Sequence, residues 1–453
     1  MPRTTDTLAA LATPAGTSAL AVLRISGPDT ASVCRAALGR TPPPRRATHA
    51  DYRDLSGAVV DDVVATYMPG PRSYTGEDCL EVSCHGSPYI AQRILADLLA
   101  RGCRPAQPGE FTQRAFLNGR MDLSQAEAVM DLIQARSERA LASAQQVLRG
   151  ALSRHMKELV DGVLQSLATV EAYIDFPDED LPPEDRGRLE ARVASVLEGA
   201  ERLLATGRTG TLLREGIVTV IVGEPNAGKS SLLNRLVGSE RAIVSPEPGT
   251  TRDFIEERMS AGPHGLRLVD TAGLNPCATG IERLGIEKTL ERISGADLFL
   301  LVLDASRPSP ALAEALASRI TPSNTLVVLN KMDLLAAGAP PVASAPAGLD
   351  RAEVSSLTGL GLRELRERLE RLAEGLQSTF GEERIAINVR HAHVLEQARG
   401  CLAAALEKVR TGGPPELLAS DLRGALGFLG EISGKVDNER VLDQLFTSFC
   451  IGK

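Results

Sequence analysis

The residues best placed to do chemistry lie between positions 223 and 357. From Gly223 to Ser230 the chain reads GEPNAGKS, the spacing G-x-x-x-x-G-K-[ST], and phosphate binding needs these residue types at these intervals. The glycines let backbone N–H groups from Asn226, Ala227 and Gly228 curl around phosphate oxygens. Lys229 reaches the β and γ oxygens, and Ser230, followed by Ser231, offers a hydroxyl to Mg²⁺. Asp270 opens a second run, DTAG, whose Thr271, Ala272 and Gly273 follow a strand. A carboxylate there suits an Mg²⁺ partner, and Gly273 permits close approach to a γ-phosphate. Asn330, Lys331, Met332 and Asp333 form the third run. Asp333 can accept from both N–H donors of guanine, which adenine cannot offer; the alternative for such a tetrad is an Asx turn. In this order and spacing the three runs imply GTP hydrolysis. Ser355, Ser356 and Leu357 fall where a base-contacting loop belongs. Thr250 and Thr251, ahead of Arg252 and Asp253, occupy the place of a switch whose Thr251 joins Mg²⁺ when triphosphate is bound, unless they form a plain Thr-rich turn.

Two catalytic devices are missing. Leu274 stands after Gly273 where Ras-like proteins place a water-orienting Gln, and no arginine finger is evident. Such a finger supplies roughly 10³ to 10⁵ in rate, so a substitute is required.

The elements that must hold these residues are legible. The run IVTVIV at 217–222 reads as a buried parallel strand, with comparable runs at 266–269, 298–303 and 326–329 and helical patterns between them, the first at 231–236. A parallel α/β sheet is expected over about 216–375, with the Ala- and Pro-rich stretch 336–348 as a surface loop. Upstream, Ser124 and Glu127 predict a capping box, and helical spacing from Val129 to Ile174 predicts one or two long helices. Helical patterns return after 385. About 70 residues make a marginal core alone, so the two helical pieces should pack together, with the α/β domain inserted between them. Residues 1–119 read as an α+β unit: strands at 20–25, 60–67 and 79–84 and a helix near 90–99. Period two places Glu81, Ser83 and His85 on one strand face, and Arg24 alternates with Leu23 and Ile25.

Composition narrows the class. The chain has 453 residues, enough for about three domains. Its 50 basic against 58 acidic residues give 50 − 58 = −8, so any RNA contact must be local. Seven cysteines without a CxxC pair read as reduced thiols in a cytoplasmic protein. The histidines show no metal spacing, no zinc is expected, and no apolar run reaches the roughly 18 residues that span a membrane. Aromatics at 3% exclude a stacking platform for single strands.

Beyond the nucleotide runs the chain resembles one family, the tRNA modification GTPases MnmE or TrmE. The resemblance rests on RISG (24–27), SYTGED (73–78), PGEFT (108–112), RAFLN (114–118), QAEA (125–128) and the terminal FCIGK (449–453). It implies a multidomain α/β chain: an α+β folate-binding domain over 1–119, a helical domain over 120–214 and 379–453, and an inserted Ras-like P-loop G domain over 215–378. It also implies that Asn226, Ser245, Glu247 and Thr250 bind K⁺, which takes over the finger's charge as two G domains pair in a homodimer. Glu282 would position the attacking water; by spacing alone it is equally a solvated helix glutamate. Arg24, Glu81, Arg120 and Lys453 would contact a 5-formyltetrahydrofolate-like one-carbon carrier, with Arg120 in place of the usual Lys. On residue pattern alone that set also suits an ordinary solvated strand face with ion pairs. Cys450 would act near the uridine as nucleophile or acid/base, or would simply pack as a buried thiol. The chain departs from relatives at Asn275, often Arg, and at Pro246 and Pro248.

The partners implied are tRNA and the FAD-binding MnmG (GidA) in a heterotetramer, with FAD supplied there because no flavin fingerprint is present here. No membrane partner is expected. The product would be carboxymethylaminomethyl or aminomethyl uridine at the wobble position. The rival reading is a GTP-dependent ribosome or RNA assembly switch with residues 1–119 as a docking module. A third makes the amino-terminal unit a self-sufficient one-carbon transferase.

Overall fold

A computed structural model of the chain describes residues 6–175, 183–238, 256–270, 294–310, 312, 314–336, 338–376, 385–434, 445–446, 449 and 452. The chain divides into two compact units, Met1–Met130 with Val147–Leu164 and Leu426–Lys453, and Asp131–Gln146 with Gln165–Ala425.

The first unit is built on six strands, β1 (Leu8–Leu11), β2 (Leu20–Ser26), β3 (Thr48–Arg53), β4 (Val59–Met68), β5 (Cys79–His85) and β6 (Arg104–Pro105), in the order β3-β4-β5-β2-β1-β6. All pairs are antiparallel except β1 with β6. Alternation sends Leu23, Ile25, Leu80 and Val82 into a core with Val33 of α1 (Thr30–Leu38) and Ile94 and Leu98 of α2 (Pro88–Ala100). The opposite face keeps Arg24 directly across from Glu81. Strands β1, β3 and β6 carry no sequence signal of their own: β3 reads THADYR and β6 has two residues.

After α3 (Glu110–Leu117) come α4 (Leu123–Gln134), α5 (Glu138–Leu148) and α6 (Ala151–Asp175), three helices where one or two were expected. The expected capping box is also displaced. Asp122 Oδ1 accepts from the Gln125 N–H at 2.9 Å, and Gln125 Oε1 accepts from the Asp122 N–H at 3.0 Å. The box is therefore Asp122 with Gln125, while Ser124 is inside the first turn and donates to Asp122 at 2.6 Å.

In the second unit, α7 (Pro183–Ala205) and α8 (Gly207–Glu215) lead into a sheet of β7 (Ile217–Val222), β8 (Glu256–Ala261), β9 (His264–Asp270), β10 (Leu298–Asp304), β11 (Thr325–Asn330) and β12 (Asp350–Glu353). The order is β12-β11-β10-β7-β9-β8, with α9 (Lys229–Gly238) and α10 (Leu362–Leu376) packed on it. The sheet is parallel apart from β8, which pairs antiparallel with β9. That strand escapes sequence reading because EERMSA is charged and half exposed, with little β-branched signal.

The helices on either side of this sheet in sequence come together. Arg186 of α7 donates from Nε to the Val409 carbonyl at 2.7 Å, capping α11 (Val389–Thr411), which precedes α12 (Pro415–Ser433). The two ends of the inserted stretch are adjacent too: Arg214 donates to the Ile387 carbonyl at 2.9 Å. Gly210 sits so close that a Cβ there would be 2.1 Å from the same oxygen.

Candidate functional site

β7 is buried along nearly its whole length and ends at Val222, where the chain turns against β10. A side chain at Gly223 would bring Cβ within 2.2 Å of the Val302 carbonyl, and one at Gly228 within 2.3 Å of Asn330 Nδ2, while both residues hold positive φ, +153° and +92°. Only glycine fits these two positions. Between them Asn226 also holds φ +64°, so the loop curls.

At the start of α9 the Lys229 ammonium lies across the loop, donating to the carbonyls of Gly223 at 2.9 Å and Glu224 at 2.8 Å. Burial pulls its pKa below the ordinary lysine value, and the charge of Asp270 opposes that pull. Ser230 Oγ donates to Asp270 Oδ2 at 2.9 Å. Asp270 closes β9 and is buried. A hydroxyl beside a carboxylate is a hard oxygen pair of the kind Mg²⁺ takes. Ser231, the next residue, is exposed on α9.

Asn330 is the joint of the site. Its side chain is 1% exposed; Nδ2 donates to the Ala227 carbonyl at 2.9 Å, and Oδ1 accepts from the Ser356 N–H at 3.0 Å and hydroxyl at 2.9 Å. One carboxamide thus ties the phosphate loop to the loop at 355–357. Asp333 is exposed and accepts from the Ser355 hydroxyl, and Leu357 beside it is 78% exposed. Lys331, at φ +65°, reaches Asp304 with an N···O distance of 2.8 Å. Burial works against the Asp304 carboxylate, yet the hydrogen bonds from Lys331 and Ser306 outweigh it and bring the group down to about 2. Sequence reading missed Asp304: it ends a strand with no motif around it. Ser245, Glu247, Thr250, Thr251, Thr271, Ala272, Gly273 and Glu282 lie outside the described residues.

The first unit holds a second polar centre. Arg24 donates to Glu81 Oε1 from Nε at 2.9 Å and from Nη2 at 2.7 Å, and from Nη1 to the Gly452 carbonyl at 3.1 Å. Its guanidinium lies 5.5 Å from the Tyr74 ring centre and 5.6 Å from that of Phe111, within cation–π range. Neither ring was singled out from sequence, although each sits inside a run quoted for the resemblance. Those runs meet through a buried network: Ser26 bonds Thr75 at 2.7 Å and Glu77 at 2.8 Å, and Glu77 pairs with Arg114, itself 1% exposed, at 3.0 Å. Arg120 is exposed, with its Cγ against Gly76 on the loop that carries Tyr74. The chain's end reaches the same unit, since Phe446 and Phe449 pack with Ala126 and Met130. Cys450 and Lys453 lie outside the described residues.

Two other thiols, Cys34 and Cys103, are buried. Burial pushes Cys34 and Cys103 up to about 11, so neither is a nucleophile at neutral pH. Among the described residues no cluster of His, Cys, Asp and Glu could hold a metal ion, and no helix is long and apolar enough to cross a membrane.

Comparison with known proteins places this geometry. Residues 7–120 match the family described as GTP-binding protein TrmE N-terminus, and residues 123–450 match the MnmE helical domain. The chain is 59% identical over 453 residues to the tRNA modification GTPase MnmE of Opitutus terrae, covering 100% of both chains. It is 46% identical over 452 residues to that of Akkermansia muciniphila and 41% over 469 residues to that of Geobacillus kaustophilus, with 99% of each chain covered. An amino-terminal α+β unit, a helical region and an inserted P-loop sheet, matched from end to end, make this chain a member of the MnmE family of tRNA modification GTPases.

Proposed function

We propose that the chain hydrolyses GTP to drive addition of a carboxymethylaminomethyl or aminomethyl group to C5 of the wobble uridine of tRNA, using a folate one-carbon unit. The observation that carries this reading is the Arg24 centre: a guanidinium held by Glu81 and the Gly452 carbonyl and flanked by Tyr74 and Phe111. A GTP switch without modification chemistry needs no such second site. A carboxylate suits the N–H donors of a reduced pterin, and arginines at positions 24 and 120 suit the anionic glutamate end. Lys453 would add a further cation, and Cys450 is assigned to the uridine itself. The working division of the chain is 1–119, 120–214, 215–378 and 379–453.

In the nucleotide site Lys229 holds the β and γ oxygens, Asp333 reads guanine, and Asn330 keeps the two loops in register. Ser230 and Asp270, with Thr251, are the residues that would hold Mg²⁺, and Asn226 with Ser245, Glu247 and Thr250 those that would hold K⁺; bound there, the ions would offset charge that develops on phosphate oxygens. Glu282 positions the attacking water. Two copies pair through their nucleotide faces, and MnmG supplies FAD in a cytoplasmic heterotetramer.

Calorimetry with 5-formyltetrahydrofolate tests the reading. Wild type should bind and Arg24→Ala should lose binding by at least about tenfold, because it removes a charge-assisted partner worth roughly 1.5–3 kcal/mol. No heat with wild type favours the assembly switch instead.

A further inference from the structure

In the first unit arginine is used in two ways. Arg24, Arg53, Arg93, Arg101, Arg104 and Arg114 each pair with a carboxylate. Arg35, Arg40, Arg45, Arg46 and Arg72 do not: all five are exposed and, like Arg120, Arg149 and Arg154 elsewhere in the unit, none makes an ion pair among the described residues. Between Asp29 and Asp51 the sequence has no carboxylate at all.

The fold brings these five to one surface. Arg45, held at φ +57°, bonds through its N–H to the Tyr67 carbonyl at 2.8 Å, and its guanidinium donates to the carbonyls of Pro69 and Arg72. That lacing joins the 42–46 loop to the 69–72 loop. Arg35 is carried by α1, which packs against β3 and β5, and Arg40 donates to the His49 carbonyl of edge strand β3 at 3.3 Å. The nearby carboxylate of Asp78 is engaged by the Tyr67 hydroxyl and the Gly70 N–H. The 69–72 loop runs on to Tyr74 and Gly76, against which Arg120 lies.

Five like charges without a counterion repel one another and lower stability. In a chain of net charge −8 such a concentration is what binding a polyanion requires, since the average surface repels one. Arginine rather than lysine favours phosphate, through bidentate bonding.

We propose that Arg35, Arg40, Arg45, Arg46 and Arg72 form a docking surface for the phosphodiester backbone of RNA, joined to the Arg24 centre by the loop that runs from Pro69 to Tyr74. The proposal rests on the tRNA-modifying reading and adds a location to it. The surface fixes position and not sequence.

The test is tRNA binding by fluorescence anisotropy over a salt series, with wild type and the variant Arg35→Glu, Arg46→Glu, Arg72→Glu. Arg45 is left intact because it laces the loops. Each lost phosphate contact removes about 0.7–0.9 from the slope of log K against log salt. The triple variant should therefore lose about 2 units of slope and at least about tenfold in affinity, while GTP hydrolysis and 5-formyltetrahydrofolate binding stay at wild-type values. The matching Lys triple should bind within about threefold of wild type, because the charges remain. Arg202→Glu, Arg363→Glu, Arg399→Glu, on α7, α10 and α11 of the second unit, changes net charge equally and should bind as wild type does. Unchanged tRNA affinity in the Glu triple overturns the proposal, and so does an equal loss in the control triple. Loss confined to polyglutamylated folate, with tRNA binding intact, also overturns it. Wild type that binds tRNA but neither folate nor GTP would leave this surface standing and remove the proposed function.

Discussion

At the residue scale, the two loops proposed to read opposite ends of one nucleotide are held by a single buried carboxamide. Asn330 satisfies a carbonyl in the phosphate loop and two donors in the 355–357 loop, so the proposed base and phosphate contacts share one joint. Asp333 sits just beyond it, exposed, with Ser355 on one oxygen. Asp333→Asn should weaken GTP binding by at least about a hundredfold and improve xanthosine triphosphate binding, because the site then presents a donor where guanine also presents one. Competition between the two nucleotides checks this, and an unchanged preference removes Asp333 from the guanine contact. The motif runs stand out in the sequence because their types and spacing are tied to phosphate and base chemistry. The Asp304 partner of Lys331 and the rings around Arg24 do not, since each depends on neighbours distant in sequence: Arg24 meets Tyr74, Phe111 and Gly452 only in the folded unit.

At the scale of elements, buried strands announced themselves and marginal ones did not. IVTVIV and its counterparts are near-continuous β-branched or leucine runs that only a doubly covered sheet accommodates. Strand β8 is a charged edge, and β3 and β6 are held by pairing to better strands, so their own residues carry little signal. The helical stretch shows a related error: apolar periodicity continues through the breaks between α4, α5 and α6, and the cap falls on Asp122 rather than Ser124. Asp122 also accepts from the Ser153 hydroxyl on α6, so it links two helices as well as starting one. Asp122→Ala should cost about 1 kcal/mol from the cap, with the lost Ser153 bond in addition, while Ser124→Ala should cost less. Denaturant unfolding of the two variants decides between the caps, and a larger loss from Ser124→Ala would restore the original assignment.

At the scale of the whole molecule, an insertion with adjacent ends lets a nucleotide-binding sheet sit within a helical framework without breaking it. Arg214 with Ile387, and Arg186 with the end of α11, close that framework around the inserted stretch. The insertion was legible because neither helical piece carries enough core alone, a matter of surface and volume. GTP hydrolysis in one unit and the one-carbon chemistry proposed for the other make sense together only if both serve one product. The direct measurement is mass spectrometry of wobble-uridine nucleosides from cells lacking this chain and complemented with wild type, Lys229→Ala or Arg24→Ala. The account predicts that wild type restores the C5-modified uridine and that neither variant does. Full restoration by Arg24→Ala, or an unaltered nucleoside profile in the deleted cells, would contradict it.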